Sequence, residues 1–293
     1  MSVPLLELNT QNLALETELK AAFERVLRSG QFIQGPEAIA FEKDLAQMIG
    51  ARHALGVSSG TDAILLALMA LEIRAGDEVI CPTFTFFATA GCIARAGATP
   101  VFVDSDPATF NVDPADVARK ITKKTKAIMP VHLFGQCAEM DAILAVAREN
   151  GLRVIEDGAQ ALGATYKGRQ AGAMGDFGTF SFFPSKNLGG FGDSGLLVTN
   201  DDALAERATL LRVHGAKPKY YHKYVGANFR MDPLQCALIR TKLPHYNRYT
   251  ERRQANAAYY TEKLAPIAGE KLILPKAAPD HGHIWNQYTL RVA

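Results

Sequence analysis

Lys186 has both the residue type and the setting for covalent chemistry with a carbonyl compound. It sits between an aromatic, strand-like run at residues 179–183 and a glycine-rich loop holding Gly189, Gly190, Gly192 and Gly195. An amine on ordered backbone beside an open loop can form a Schiff base with an aldehyde. Alone this proves little, because most lysines are solvated surface residues. Upstream, Val154-Ile155-Glu156-Asp157 reads as a short buried strand ending in acid, followed by Gly158-Ala159-Gln160. In open α/β sheets, ligands gather beyond the carboxyl ends of strands. A lysine and an aspartate so placed supply two groups that pyridoxal 5′-phosphate requires. The amine takes its aldehyde carbon, and the carboxylate keeps its ring nitrogen protonated so that the ring accepts electrons. Asp157 by itself could equally cap a helix. The pair is harder to dismiss than either member.

A third stretch concerns phosphate. Gly56-Val57-Ser58-Ser59-Gly60-Thr61-Asp62-Ala63 leads from a short apolar segment into an apolar, alanine-rich run at 64–71, which reads as a buried helix. Small residues before a helix let a phosphate approach the free N–H groups at its positive end. Capping by Ser59 or Thr61 explains one hydroxyl, not the crowd of small residues.

The elements that must position these groups alternate along the chain. Helices are expected at 14–29, 36–50, 87–96, 114–121, 140–150 and 203–213. Strands are expected at 78–81, 100–103, 127–131, 153–156 and 195–199. Such interleaving predicts a mostly parallel sheet covered on both faces, a three-layer α/β/α architecture. From residue 232 the texture becomes helical, at 233–243 and 247–264, with a break at Pro244. The expected organisation is a large domain over 1–243 and the start of a smaller domain over 244–293. The last ten residues read as a strand.

Composition narrows the function. The 293 residues are 48% hydrophobic, enough for a large core, and the net charge of +2 leaves no nucleic-acid footprint. No apolar run is long enough to span a bilayer and no secretory signal opens the chain. Cys81, Cys92, Cys137 and Cys236 lack metal-ligand spacing, so no metal is expected, and they fit a reducing cytoplasm. Gly190-Phe191-Gly192-Asp193-Ser194-Gly195 satisfies G-x-G-x-x-G, yet it opens a strand rather than a helix and is rejected as a dinucleotide site.

These stretches resemble the DegT/DnrJ/StrS group of pyridoxal-phosphate-dependent nucleotide-sugar aminotransferases, of fold type I. The matching segments lie at 30–36, 59–63, 76–80, 84–90, 97–104, 130–136, 155–160, 181–186, 192–195 and 226–232, nearly end to end. The resemblance implies that Lys186 binds the cofactor and later carries protons, and that Asp157 pairs with the ring nitrogen. It implies Gln160 on the ring hydroxyl, with Gly60, Thr61 and Ser181 on the phosphate. Phe86 would stack on the ring, where many members carry tyrosine or tryptophan. It also implies that Asn228 reaches the phosphate of a neighbouring subunit's cofactor, hence a homodimer with shared active sites. Arg212 and Arg230 are candidates for anionic substrate contacts, since a guanidinium grips a carboxylate or phosphate with two bonds. His132 and His214 are expected to be structural.

The implied reaction takes an amino group from L-glutamate and places it on a nucleotide-linked keto-sugar. A UDP-linked 3-oxo sugar, such as a 2-acetamido-3-oxo uronic acid, is the expected substrate class, and a dTDP-linked keto-6-deoxysugar the alternative. The product would serve cell-surface polysaccharide, lipopolysaccharide included. Members of the group continue by several dozen residues, so a truncated small domain is expected. Two rival classes are sugar dehydration, in which the lysine is typically replaced by histidine, and a non-enzymatic regulatory role, which needs no Schiff-base lysine. The intact Lys186 stands against both.

Overall fold

The computed structural model describes residues 4, 6–218 and 220–292. Its organising element is a seven-stranded sheet whose side chains alternate between two buried faces. The strands are β1 (His53–Val57), β2 (Glu78–Pro82), β3 (Thr99–Val103), β4 (Thr125–Ile128) and β5 (Arg153–Asp157). After a small hairpin of β6 (Thr165–Tyr166) and β7 (Arg169–Gln170) come β8 (Phe177–Ser181) and β9 (Gly195–Thr199). The order across the sheet is β1-β9-β8-β5-β4-β2-β3. The run from β3 to β8 is parallel, while β9 is antiparallel to both its neighbours.

The helices that cover this sheet are α1 (Asn9–Leu13), α2 (Glu16–Ser29), α3 (Pro36–Ile49), α4 (Gly60–Ala70), α5 (Ala88–Arg95), α6 (Pro114–Arg119), α7 (Met140–Asn150), α8 (Asp202–Leu211), α9 (Pro233–Lys242) and α10 (Tyr246–Leu264). Strand periodicity of two decides which face each one meets. Val79 and Cys81 of β2, Ile155 of β5 and Leu197 of β9 pack with α4, α5 and α8. Ile80, Ile128 and Val154 point the other way, onto α6 and α7. On that second face Phe180, Leu196 and Val198 meet Phe41 and Leu45 of α3 and Ile239 of α9. The result is the three-layer α/β/α fold read from the sequence.

Helix α4 is the innermost helix. Ala63, Ile64, Leu66, Ala67 and Leu68 are all buried, so it is apolar around its circumference rather than along a stripe. Burying a leucine fully contributes about 1.5–3 kcal/mol. Packing, more than propensity, therefore holds α4 against the sheet. Ser59 caps it, its hydroxyl accepting from Asp62 N–H at 3.0 Å.

Three boundaries differ from the sequence reading. The strand expected at 127–131 ends at Ile128; Pro130 has no N–H for a ladder, and its carbonyl instead accepts from Asp157 N–H at 2.9 Å. The strand leading to Lys186 ends at Ser181, and the N–H of Phe183 turns onto the Ser181 hydroxyl. The strand expected over the last ten residues is only Arg291–Val292, paired with Leu272–Ile273. Residues before it turn back instead: His281–Gly282 pairs with β6, and Trp285 adopts a φ of 51° that an extended strand does not allow. Ala293 lies outside the described residues.

The close approach of β9 to the start of α4 makes Gly195 demanding. A Cβ there would sit 2.5 Å from the carbonyl carbon and oxygen of Ser59 and 2.7 Å from Gly60 N, all of them backbone. Gly195→Ala is expected to cost about 1–3 kcal/mol in urea denaturation, as overpacking does. Gly269→Ala, where nothing lies within 4 Å, is the control and should be near neutral. Equal stability of both variants would show that α4 yields freely.

Candidate active site

The carboxyl ends of the parallel strands converge on a cleft of about 510 Å³ lined by Gly60, Thr61, Thr85, Phe86, Asp157, Gln160, Ser181 and Lys186, among others. Strand β5 lies in the interior of the sheet, so its last residue, Asp157, enters the cleft already 4% exposed. Its backbone is pinned on both sides: its N–H donates to the Pro130 carbonyl, and its carbonyl accepts from His132 N–H, each at 2.9 Å. Its side chain is pinned too. Thr89 Oγ1 donates to Oδ2 at 2.8 Å, and Ala159 N–H to Oδ1 at 3.1 Å.

Lys186 follows β8 by five residues, on a loop closed by the Lys186 N–H to Phe183 carbonyl bond (2.8 Å) and the Gly190 N–H to Phe182 carbonyl bond (2.7 Å). The buried Lys242 ammonium holds the same loop through the Gly189 carbonyl at 2.6 Å. Among the described residues Lys186 Nζ has no hydrogen-bond or ion-pair partner. Burial lowers the pKa of its ammonium from the ordinary lysine value, and the nearby Asp157 charge works against that shift. Burial likewise raises the Asp157 carboxyl, opposed by Thr89, the Ala159 N–H, Lys186 and His132. Desolvation thus favours the neutral amine, which is the nucleophilic form.

At the start of α4, Asp62 N–H is taken by the Ser59 cap and Ala63 N–H by the Ser59 carbonyl. The N–H groups of Gly60 and Thr61 point from the positive helix end without helical partners. Ser181 stands beside them: a Cβ on Gly60 would meet Ser181 Cβ at 2.8 Å, so only glycine leaves this cradle open. The buried Ser194 hydroxyl lining the cleft has no hydrogen-bond partner among the described residues. Gln160 accepts from Phe134 N–H at 2.8 Å, which leaves its amide NH₂ available. Phe86 is 73% exposed. A free amine, a buried carboxylate, an anion cradle and an exposed flat ring in one cleft fit the shape and charge of pyridoxal 5′-phosphate.

The remaining candidates lie elsewhere. Arg212 is buried, with Nη1 donating to the Glu42 carboxylate and to the Gly56 carbonyl at 3.0 Å. Arg230 shares a separate cavity of about 270 Å³ with Arg212 and Glu42. Asn228 is exposed, its side chain accepting from Arg230 N–H at 3.4 Å. His132 is wholly buried: its Nδ1 accepts from Ala138 N–H, which leaves Nε2 to donate to Glu156 at 2.9 Å. Thr89 escaped the sequence reading. Its only signal there is a lone hydroxyl in an Ala-Thr-Ala run. Gln287, which also lines the cleft, carried no signal at all.

Residues 14–293 match the DegT/DnrJ/EryC1/StrS aminotransferase family. A protein of Geobacillus stearothermophilus named pleiotropic regulatory protein is 51% identical, over 99% of this chain and 78% of its own length. A UDP-N-acetyl-3-dehydro-α-D-glucosamine 3-aminotransferase of Acidithiobacillus ferrooxidans is 44% identical over the same shares. The crystal structure of Streptomyces venezuelae DesV in complex with a ketimine intermediate superposes with a TM-score of 0.96 at 44% identity, covering 99% of this chain and 78% of that one. The chain belongs to the DegT/DnrJ/EryC1/StrS family, whose members are sugar aminotransferases dependent on pyridoxal 5′-phosphate.

The buried carboxylate has a cost that can be measured. A carboxyl whose folded pKa is raised stabilises the protein below its unfolded pKa, and that contribution is lost as pH rises through the folded pKa. Cofactor-free Asp157→Asn protein should therefore gain stability relative to its parent as pH rises above the ordinary carboxylate range, the gain levelling off once the folded pKa is passed. Urea melts across pH check this. A parent that gains on the variant as pH rises would contradict the burial argument.

Proposed function

We propose that this member of the DegT/DnrJ/EryC1/StrS aminotransferase family moves the amino group of L-glutamate onto a keto carbon of a nucleotide-linked sugar. The observation that carries the reading is the Lys186 amine, without a hydrogen-bond or ion-pair partner among the described residues, facing the same cleft as the buried Asp157 carboxyl group. Bound pyridoxal 5′-phosphate supplies an aldehyde carbon and a ring that withdraws electrons from it. Lys186 Nζ would hold the cofactor at that carbon and, once the donor's amine had displaced it there, would as a free amine take the proton from Cα of the donor and return one in the second half-reaction. Asp157 holds a proton on the ring nitrogen, and the free amide of Gln160 meets the ring hydroxyl. Gly60 and Thr61 N–H groups and the Ser181 hydroxyl hold the phosphate, with Phe86 against the ring face.

Asn228 and Arg230 stand outside this cleft, so we assign them to the site of a second copy in a homodimer. There Asn228 reaches the phosphate and Arg230 an anionic group of the substrate. Arg212 is left out of that set because it is buried and its Nη1 is held by Glu42 and the Gly56 carbonyl. The division after residue 243, in the 3₁₀ turn Leu243–His245, is part of the same proposal.

A UDP-linked 3-oxo sugar is the substrate class we favour. The Acidithiobacillus relative is named for one, and a Pseudomonas aeruginosa relative, 42% identical, is named for UDP-2-acetamido-2-deoxy-3-oxo-D-glucuronate. A carboxylate on the sugar would suit Arg230. A relative named dTDP-3-amino-3,4,6-trideoxy-α-D-glucose transaminase is 44% identical and keeps the dTDP-linked alternative in view. The product would enter cell-surface polysaccharide such as lipopolysaccharide. Four free, buried cysteines favour the cytoplasm, and no helix among the described residues is long and apolar enough to cross a membrane.

The test is the absorption spectrum of cofactor-loaded protein before and after L-glutamate, with 2-oxoglutarate counted. One equivalent should appear together with a shift of the visible band to shorter wavelength. The aminated protein should then be discharged faster by a UDP-linked 3-oxo sugar than by a dTDP-linked one. Lys186→Ala should lower turnover by about 10²–10⁴-fold or more with its urea melt unchanged. Normal turnover by that variant would overturn the mechanism.

A further inference from the structure

The Asp157 carboxyl group is held by Thr89, a residue outside the set assigned to the cofactor. Thr89 is completely buried in the first turn of α5, whose other side chains there are alanines. Its Oγ1 lies 2.8 Å from Asp157 Oδ2 and 3.0 Å from Thr85 Oγ1, and Thr85 lines the cleft. Thr89 thus differs from other helical threonines of this chain. Thr209, Thr241 and Thr261 each donate to the carbonyl four residues earlier, on their own helix. Thr89 instead spends its hydroxyl across the structure, on a group 68 residues away.

The direction of the bonds follows from proton counting. A hydroxyl carries one proton and two lone pairs. Facing an ionised carboxylate, Thr89 must donate to it, so Thr85 must donate to Thr89. The chain Thr85 to Thr89 to Asp157 then points its protons toward one carboxylate oxygen while Ala159 N–H holds the other. Both oxygens are fixed, and so is the plane of the carboxyl group. A proton on Oδ2 would reverse the chain and hand a donor back to the cleft at Thr85.

We propose that Thr89 is a positioning residue for the cofactor, its hydroxyl, backed by Thr85, fixing the rotation of the Asp157 carboxylate and keeping it ionised toward the ring nitrogen. This rests on the reading of Asp157 given above. Thr89→Val keeps the shape and removes the hydroxyl; Thr89→Ser restores it. Titrating cofactor-free protein with pyridoxal 5′-phosphate, Thr89→Val should bind about 10- to 100-fold more weakly, as loss of a hydrogen bond to a charged group predicts. The pH dependence of the bound chromophore should shift with it. Thr89→Ser should return affinity to within about threefold of the parent, and Thr85→Val should fall between. Parent-like affinity and pH dependence in Thr89→Val would overturn the proposal, and so would Thr89→Ser behaving like Thr89→Val. Should Thr89→Val not fold, Thr85→Val decides: a parent-like titration and spectrum there would sink the relay. Asp157→Ala separates the two readings. Tight binding by Asp157→Ala removes the premise, whereas weak binding beside a parent-like Thr89→Val removes only the role of Thr89.

Discussion

The site depends on a carboxylate kept where water is scarce. Taking a charged carboxylate out of water costs several kcal/mol unless donors and countercharge replace the solvent. Asp157 is given a hydroxyl on one oxygen, a backbone N–H on the other and the Lys186 ammonium at longer range. Burial then acts in opposite senses on the pair, favouring the neutral form of each. A small set of fixed donors opposes that effect on Asp157, while among the described residues Lys186 meets only the Asp157 charge. An amine so placed would be free to react, and a carboxyl so fixed would face the ring nitrogen of the cofactor in the reading proposed above.

Topology delivers these groups to one place. Because β9 runs opposite to both β8 and β1, those two strands are parallel to each other and to β5, β4 and β2. Their carboxyl ends share an edge, which is where open α/β sheets collect ligands. From that edge β1 leads into α4, β5 ends in Asp157 and β8 ends in Ser181. The reversed strand contributes its start, and Gly195 there lets β9 approach the α4 terminus within contact of backbone. Glu156, one residue before Asp157, points to the other face. It accepts from the N–H groups of Gly172, Met174 and Gly175 and from His132, and so locks the strand end from behind.

Much of this was legible because it is local. The alternation of β2, β5 and β9, the buried α4 and the chemistry of Lys186 and Asp157 all live in short runs of sequence. Boundaries were less so: Pro130 and the Phe182-Phe183 pair keep apolar character where the ladder has already ended. The bend of the backbone around Trp285 is set by packing against Gly135, which no window of the tail contains. Thr89 was invisible for the same reason. Its meaning depends on a carboxylate brought to it by two crossovers of the sheet. Arg212 shows the converse: a residue type suited to substrate, consumed in the fold by Glu42.

The rim of the cleft bears on the dimer proposed above. Phe86 and Phe183 line the cleft while more than half exposed, and Phe84 and Phe87 beside Phe86 are exposed to a similar degree. Large exposed aromatics grouped at the rim of a cleft suit an interaction surface better than a solvated one. Covering it would serve the chemistry directly. Excluding water strengthens each charge interaction in the cleft and protects a reactive amine–aldehyde linkage from hydrolysis. A second copy that brought Asn228 and Arg230 to this rim would add an amide and a guanidinium to the groups that line it. One surface would then close the site and complete it. A monomer has neither means at hand, because its own Asn228 and Arg230 line a different cavity or face solvent.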